Sequence, residues 1–156
     1  MALKYRRLKS AGNSENLYLA RGEMERVRLR RKTDKGTDIA FVMEPGTSLQ
    51  HGDVVLEDRE KFIVVMQLLE KVMQVKIMEK SKSRLAETCA LVGHAIGNRH
   101  RPISVEDEAI SFPVMGESEL ATFEQLFAGH NIKLGIEEKV FFPSVSTGGT
   151  HHQHEH

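Results

Sequence analysis

Residues 82–102, KSRLAETCALVGHAIGNRHRP, contain the helix and the bend that organise the second half of the chain. Residues 82–96 have helical spacing, and one apolar stripe follows this spacing. The stripe consists of Leu85, Cys89, Val92 and Ile96. Gly97-Asn98 is a pair that commonly ends a helix in the left-handed conformation, and Pro102 keeps the residue before it out of helical geometry. We therefore predict a helix that ends in a short rigid bend.

Strands and a second helix are predicted around this segment. The predicted strands are 72–78, 103–105 and 109–114, with 132–136 and 140–142 together forming the last strand, and the second helix is 118–127. The order β-α-β-β-α-β is that of a ferredoxin-like sandwich, in which helices cover one face of an antiparallel sheet.

The first half of the chain is predicted to be a small all-β domain. Within the predicted strand 24–31, Val27 and Leu29 alternate with Arg26, Arg28 and Arg30, and further strands are predicted at 39–43, 54–56 and 62–66. Turn residues separate these strands. The predicted fold class is therefore α+β, with an N-terminal β domain at 1–70, a ferredoxin-like domain at 71–143 and a flexible tail at 144–156.

Charge is balanced overall but uneven along the chain. The 22 basic and 22 acidic residues give a formal net charge of zero, so no global field would drive binding to nucleic acid or to an anionic membrane. Half of the cations lie in the first 36 residues. This basic segment is either a solvated strand face or a docking surface for an acidic partner protein.

Other composition signals point to the cytoplasm. Cys89 is the only cysteine, so no internal disulfide can form, and we expect this residue to be a small buried hydrophobe. No apolar run approaches the roughly 18 residues that a membrane span requires. The start of the chain lacks the apolar segment of a secretory signal.

The last six residues hold half of the histidines in the chain, namely His151, His152, His154 and His156. Imidazole ligands without a thiolate cluster favour nickel, copper or zinc. The Ser/Thr/Gly-rich stretch before them is typical of a flexible linker. A remnant of an expression tag is the alternative interpretation, although Gln153 and Glu155 interrupt the run.

The four remaining histidines differ in their surroundings. His100 lies on the predicted bend, where it is either a surface residue beside a helix end or half of a metal site that a two-fold axis completes. We expect His94 to face water and His51 to have a structural role in a turn. The role of His130, near the end of the second helix, is open.

Four motifs in the same order resemble the UreE urease accessory proteins, a family of nickel metallochaperones. The sequence GNRHRP at 97–102 looks like the family signature. RLRRKTDKG at 28–36 resembles its basic strand and turn, and GTSLQHGD at 46–53 resembles its Gly-x-x-Leu-x-x-Gly-Asp segment. FFP at 141–143, followed by a His-rich end, completes the resemblance, which covers about residues 16 to 156.

The resemblance implies a first domain similar to a chaperone peptide-binding domain and a second domain that forms a homodimer, with a metal-linked tetramer as a further state. It implies that two copies of His100 hold one Ni(II) at the two-fold axis and that tail histidines complete or exchange ligands. Zn(II) or Cu(II) would be substitutes. The implied partners are the urease accessory GTPase and the apo-urease complex.

Three other functions are alternatives to this one. A metal-dependent hydrolase would need three fixed ligands and a base, for example a His-Glu-x-x-His helix, and the sequence contains no such set, so we expect no enzymatic activity. A general histidine-based metal buffer or storage protein, and a peptide-binding assembly adaptor, both stay open.

Overall fold

A computed structural model describes residues 13–58 and 61–144. The chain divides into two compact units that join between Leu68 and Leu69. Within the described ranges, no helix combines the length and the apolar character that crossing a membrane requires.

The described part of the first unit contains five strands. They are β1 (Asn13–Leu19), β2 (Arg28–Lys32), β3 (Asp38–Val42), β4 (Val54–Glu57) and β5 (Lys61–Gln67), and a 3-10 turn at Arg21–Glu23 follows β1. One sheet has the order β1-β5-β4, with β1 parallel to β5, and β2 and β3 form an antiparallel hairpin. The apolar core consists of Leu17, Leu19, Met24, Leu29, Leu49, Ile63 and Val65. The predicted all-β character of this half is confirmed.

Strand β1 is absent from the sequence prediction, because its sequence NSENLYL is mostly polar. Its inward-facing residues are Glu15, Leu17 and Leu19, so a carboxylate occupies a core-facing position. The hydroxyl of Thr33 donates a hydrogen bond to Glu15 at 2.5 Å, which compensates the buried charge. The prediction of a strand starting at residue 24 is wrong, since Met24 lies in a turn and β2 begins at Arg28.

The second unit has the predicted ferredoxin-like order. Its elements are β6 (Glu70–Ile77), α1 (Lys82–Gly97), β7 (Ser104–Glu106), β8 (Ala109–Pro113), α2 (Glu119–Leu126) and β9 (Ile132–Lys139). The sheet order is β7-β8-β6-β9, and all three strand pairs are antiparallel. Both helices pack on one face of this sheet, where an aromatic cluster includes Phe112 and Phe123 with ring centroids 4.8 Å apart. The predicted α+β class is confirmed.

The apolar stripe of α1 differs from the prediction. The buried residues are Thr88, Val92, Ala95 and Ile96, whereas Leu85 is 40% exposed. Cys89 is exposed, so the expectation of a buried cysteine is wrong. Relative to the predicted stripe, the helix is rotated so that Thr88 faces inward, where its hydroxyl has a hydrogen-bond partner. The spacing of apolar residues could not predict this buried polar residue.

The end of the last strand also differs. Strand β9 continues to Lys139, where it still pairs with Glu70 of β6, and residues 140–142 lie outside any strand. Phe141 is nonetheless 1% exposed, so the chain after β9 stays packed on the unit. The apolar character of 140–142 therefore reflects burial and not strand pairing.

Candidate metal site at the bend after helix α1

Helix α1 ends in a Schellman motif that contains His100. The backbone N–H of His100 donates to the carbonyl oxygen of Gly97 at 2.9 Å, and that of Arg101 donates to Ile96 at 3.5 Å. These two bonds satisfy carbonyl groups that the helix end would otherwise leave without partners. His100 has φ 52°, which is the left-handed conformation that closes the motif.

The left-handed residue is not one of those that the sequence indicated. We expected Gly97 or Asn98 to take that conformation, but Gly97 belongs to the helix and Asn98 has φ −61°. A left-handed conformation costs an L-amino acid about 1–2 kcal/mol, and glycine usually occupies this position for that reason. The backbone strain of the left-handed conformation therefore falls on His100, which is a candidate functional residue.

His100 is exposed, so its imidazole is accessible to a metal ion or to another protein. Within residues 13–58 and 61–144, no group of three His, Cys, Asp or Glu residues is close enough to hold a metal ion. The described residues of a single chain thus offer fewer than three such ligands at this bend. Any complete metal site here needs donors from a second chain or from residues outside the described ranges.

The two arginines that flank His100 are both fixed by contacts within the unit. The guanidinium of Arg99 lies 5.0 Å from the ring centroid of Phe123 and donates a hydrogen bond to the Ala95 carbonyl at 3.0 Å. Arg101 forms an ion pair with Glu119 at 2.6 Å and donates to the carbonyl oxygen of Pro113 at 3.1 Å. His100 therefore lies between two anchored neighbours.

Glu119 is the acidic partner in this arrangement. Burial raises the pKa of its carboxyl, but hydrogen bonds from Arg101 and from the Met115 N–H outweigh burial, and the pKa lies below its ordinary value. Arg99 adds an attractive charge in the same direction. Glu119 is therefore ionised at neutral pH and balances the charge of Arg101.

The described chain ends beside the residues that follow the bend. The N–H of Ser144 donates to the carbonyl oxygen of Ile103 at 2.8 Å, and the Ser144 hydroxyl accepts from the Val105 N–H at 3.1 Å. Ile103 is three residues after His100. The predicted tail ligands lie outside the described residues, and they are His151, His152, His154 and His156.

Two of the other histidines have the surroundings that we predicted. His94 is exposed, and its Nε2 lies 2.9 Å from the side-chain amide of Asn98. His51 is half-buried, and its Nδ1 accepts the backbone N–H of Gln67 at 3.0 Å. His51 therefore ties its turn to the end of β5, which is a structural role.

His130 is part of a polar cluster at the other end of α1. Its Nδ1 lies 2.7 Å from the hydroxyl of Thr88, which is fully buried and is also 3.3 Å from Glu79. The N–H of Asn131 donates to Glu79 and is the largest cause that lowers the pKa of this carboxyl, to which His130 also contributes. The cluster joins α1 to the segment before β9, so His130 has a structural partner.

The outer face of the β2–β3 hairpin carries the basic charge that the sequence indicated. Arg28 lies opposite Val42, and Arg30 lies opposite Ala40. Arg30 is paired with Asp38 at 2.7 Å, whereas no ion pair of Arg28 occurs in the described part of the chain. Val42 is 70% exposed, so cations and an exposed aliphatic side chain share one face.

The sequence did not indicate the anchors of the bend. The choice of Glu119 as partner could not be read from the sequence, since it depends on how α2 packs near Pro113.

Comparison with known proteins identifies the first unit. The family model for the N-terminal domain of the UreE urease accessory protein matches residues 5–67, which is nearly all of that unit. Residues 5–67 are thus similar to the N-terminal domain of UreE proteins. The resemblance to the UreE family that we drew from the sequence motifs is thus confirmed.

Similarity to curated UreE proteins extends beyond this domain. A urease accessory protein UreE of Natronomonas pharaonis is 28% identical over 152 residues, which is 93% of this chain and 69% of the relative. One from Ralstonia nicotianae is 30% identical over 89% of this chain and 59% of the relative, and one from Yersinia aldovae is 31% identical over 63% and 45%. This chain thus spans from about half to about two thirds of the length of these three UreE proteins.

Proposed function

We propose that this chain is a nickel metallochaperone that binds Ni(II) through His100 and delivers it to apo-urease together with the urease accessory GTPase. One observation carries the proposal: an exposed imidazole lies on a left-handed bend in a chain whose residues 5–67 match the family model for the UreE N-terminal domain. The names of the similar proteins, which are urease accessory proteins, support the same role.

In this proposal the ion lies between two copies of His100. A two-fold axis near the bend would place one imidazole from each chain on the same ion. In a metal-linked tetramer, this contact between two His100 side chains and an ion would occur twice. Such a site is exposed and incompletely coordinated, so a partner that offers more ligands can remove the ion by exchange. Residues 71–143 would be the dimerisation and metal-binding domain, and residues 1–70 the partner-docking domain.

The tail histidines would capture the ion and share it with His100. Residues 144–151 provide seven links, which reach about 15 Å on flexible-chain statistics. The three residues from His100 to Ile103 span at most about 11 Å. Because Ser144 is bonded to Ile103, a tail imidazole of the same chain is within reach of His100.

The metal and the compartment are also part of the proposal. Imidazole ligands accept Zn(II) and Cu(II) as well as Ni(II), and Cu(II) would bind most tightly. Nickel delivery therefore depends on metal supply and on the partner, in the cytoplasm where urease is assembled. The role is that of a carrier, and it requires no turnover of a substrate.

Calorimetric nickel titration of the full chain tests this function. We expect about one tight ion per dimer, and we expect its loss in His100→Ala and in His100→Gly. The glycine variant is needed because alanine at φ 52° strains the bend, whereas glycine adopts this conformation freely. His94→Ala is the matched control, since it removes another exposed histidine, which lies six residues earlier in helix α1.

Two results decide against the proposal. Tight nickel binding that survives His100→Gly would show that the site lies elsewhere. A metal-loaded chain that stays monomeric in sedimentation analysis would remove the paired site. A chain truncated after Ser144 should lose the weaker ions and keep the tight one. If it keeps none, the tail alone binds metal, as the buffer alternative predicts.

A peptide-binding assembly adaptor is the second candidate, and the outer face of β2–β3 favours it. On this face, Arg28 lies opposite the exposed Val42. A partner segment that carries an acidic and an aliphatic side chain would match this pair in charge and polarity. Binding of the purified accessory GTPase should weaken in Arg28→Ala and in Val42→Ser, with Arg84→Ala as control. Binding that is unchanged when nickel is chelated would favour the adaptor over the carrier.

A further inference from the structure

The bend that presents His100 needs support from outside its own backbone. A left-handed L-residue is unfavourable, and the closing bond from the Arg101 N–H to Ile96 is long, at 3.5 Å. Pro102 has no N–H to donate, so it adds no backbone bond on the exit side. The side chains that flank His100 are therefore a further means of holding the bend.

Arg101 connects the exit of the bend to two other parts of the unit. Its guanidinium donates to the carbonyl oxygen of Pro113 at the end of β8 and pairs at 2.6 Å with Glu119 in the first turn of α2. Glu119 in turn accepts the N–H of Met115, which lies between β8 and α2. One arginine thus fixes the bend, the end of β8 and the start of α2 relative to one another.

The burial and the aromatic contacts of Arg101 make this arrangement specific. The Arg101 and Glu119 side chains are 20% and 21% exposed, so their ion pair is largely shielded from water. The guanidinium carbon also lies 6.0 Å from the ring centroids of Phe112 and Phe123. Lysine could supply the charge at this position but neither the second hydrogen bond in the same geometry nor the planar stacking.

The charge of the pair matters for a cation at the bend. His100 lies between two arginines, and an unpaired guanidinium beside a bound Ni(II) would repel the ion. Glu119 neutralises Arg101 and also attracts Arg99. The same carboxylate therefore holds the bend and reduces the positive potential where the ion would bind.

We infer that Arg101 is a positioning residue for His100 and that Glu119 is its charge partner. This pair sets the nickel affinity of the His100 imidazole without binding the ion itself. The inference rests on the proposed function and adds residues to the same site. Loss of an outer partner that orients a metal ligand typically weakens metal binding about 10–100-fold.

Nickel titration of full-length Arg101→Gln, Arg101→Lys and Glu119→Gln tests the inference, with thermal unfolding measured for each variant. We expect Arg101→Gln to weaken the tight site about tenfold or more, and Arg101→Lys to recover part of that loss. Glu119→Gln should weaken binding as well, because it leaves the Arg101 charge uncompensated. If Arg101→Gln does not fold, the other two variants carry the test.

Arg84→Gln is the matched control. Arg84 also bonds a backbone carbonyl, that of Gly129 at 2.9 Å, and pairs with carboxylates, but it lies in the first turn of α1, roughly 20 Å from the bend. We expect its nickel affinity to equal that of the wild type even if its unfolding temperature falls as much as that of Arg101→Gln.

The outcomes separate the inference from the proposed function. A wild-type chain without a His100-dependent nickel site would overturn the function, and the inference with it. A wild-type chain with that site, and a folded Arg101→Gln variant that binds nickel equally tightly, would overturn the inference alone. Equal losses of nickel affinity in Arg84→Gln and Arg101→Gln would show that the affinity falls through general instability, which also contradicts the inference.

Discussion

His100 takes a left-handed conformation while its N–H bonds to Gly97, so the histidine occupies the position where helices usually have glycine, and the glycine lies inside the helix. If this conformation is maintained for the sake of the imidazole, removing the side chain should relieve strain. We predict that His100→Gly stabilises the second unit by about 0.5–1 kcal/mol, after allowance for the greater freedom of glycine in the unfolded chain. Urea unfolding followed by circular dichroism at 222 nm measures this change, because both described α-helices lie in that unit.

His94→Gly is the control for the same substitution in the helix. There the backbone is helical, so glycine should destabilise the unit by about 0.3–0.5 kcal/mol relative to histidine. A His100→Gly variant that is as destabilised as His94→Gly would show that the left-handed histidine carries no strain.

The contact between Thr88 and His130 gives a second prediction. Removing the fully buried Thr88 hydroxyl in Thr88→Val leaves the Nδ1 of His130 without its bond, and we expect a loss of about 1–2 kcal/mol. Nickel affinity and stoichiometry should not change, because His130 is engaged in the fold. Thr122→Val, at an exposed position of α2, should change the free energy of unfolding by less than about 0.5 kcal/mol. Loss of a bound ion in Thr88→Val would instead make His130 a ligand.

Burial of Glu15 predicts that the stability of the first unit depends on pH. Hydrogen bonds from Thr33 and Thr37 hold the pKa of this carboxyl below its ordinary 4.5, against the opposing effect of burial, and Lys61 contributes to the lowering from 3.7 Å. Since the folded pKa is lower than the unfolded pKa, the stabilisation is complete above about pH 4.5 and is lost as the pH falls through the folded value. Unfolding of this unit should therefore become easier in acid.

Glu15→Gln is the variant that checks this prediction. Both tyrosines of the chain, Tyr5 and Tyr18, precede Leu68, so tyrosine fluorescence reports on the first unit. The stability of the variant should fall less than that of the wild type between pH 6 and pH 3. Part of the slope should persist, because the carboxyl of Asp34 also has a lowered pKa, mainly through the Asn16 N–H. Identical slopes in the two proteins would contradict the role of Glu15.

The sequence allowed the second unit to be predicted more completely than the first. Each strand and helix of the β-α-β-β-α-β unit has its own hydrophobic period, and Pro102 marks the exit of the bend, so local signals were sufficient. Strand β1 has no such signal, because Glu15 occupies a core-facing position and its parallel partner β5 begins 48 residues later. Pairings between distant segments depend on the assembled core and not on local pattern.

For the candidate site, the sequence indicated the exposed candidate ligand, His100, but not the residues that hold its bend. His100 stood out through its motif, but its conformation was assigned to Gly97-Asn98, since those residues usually take it. Glu119 and Ser144 were missed because each acts through a tertiary contact, with Arg101 and with Ile103. Thr88 was missed because a polar residue is expected at the surface, and its hydrogen-bond partner in the folded unit could not be read from the sequence.

The segment after β9 gives the last prediction, which concerns where the folded unit ends. Phe141 is 1% exposed, and the N–H of Ser144 bonds to Ile103, so residues 140–144 belong to the fold. Truncation after Lys139 should cost about 3–5 kcal/mol, mainly through loss of the buried phenylalanine, whereas truncation after Ser144 should change the free energy of unfolding by less than about 0.5 kcal/mol. Phe141→Ala in the full chain should reproduce most of the larger loss, and Phe142→Ala, at a side chain that is 57% exposed, should lose much less. Urea unfolding followed by circular dichroism measures all four proteins. Equal stability of the two truncated chains would show that the unit ends with β9, and that the tail is not anchored beside Ile103.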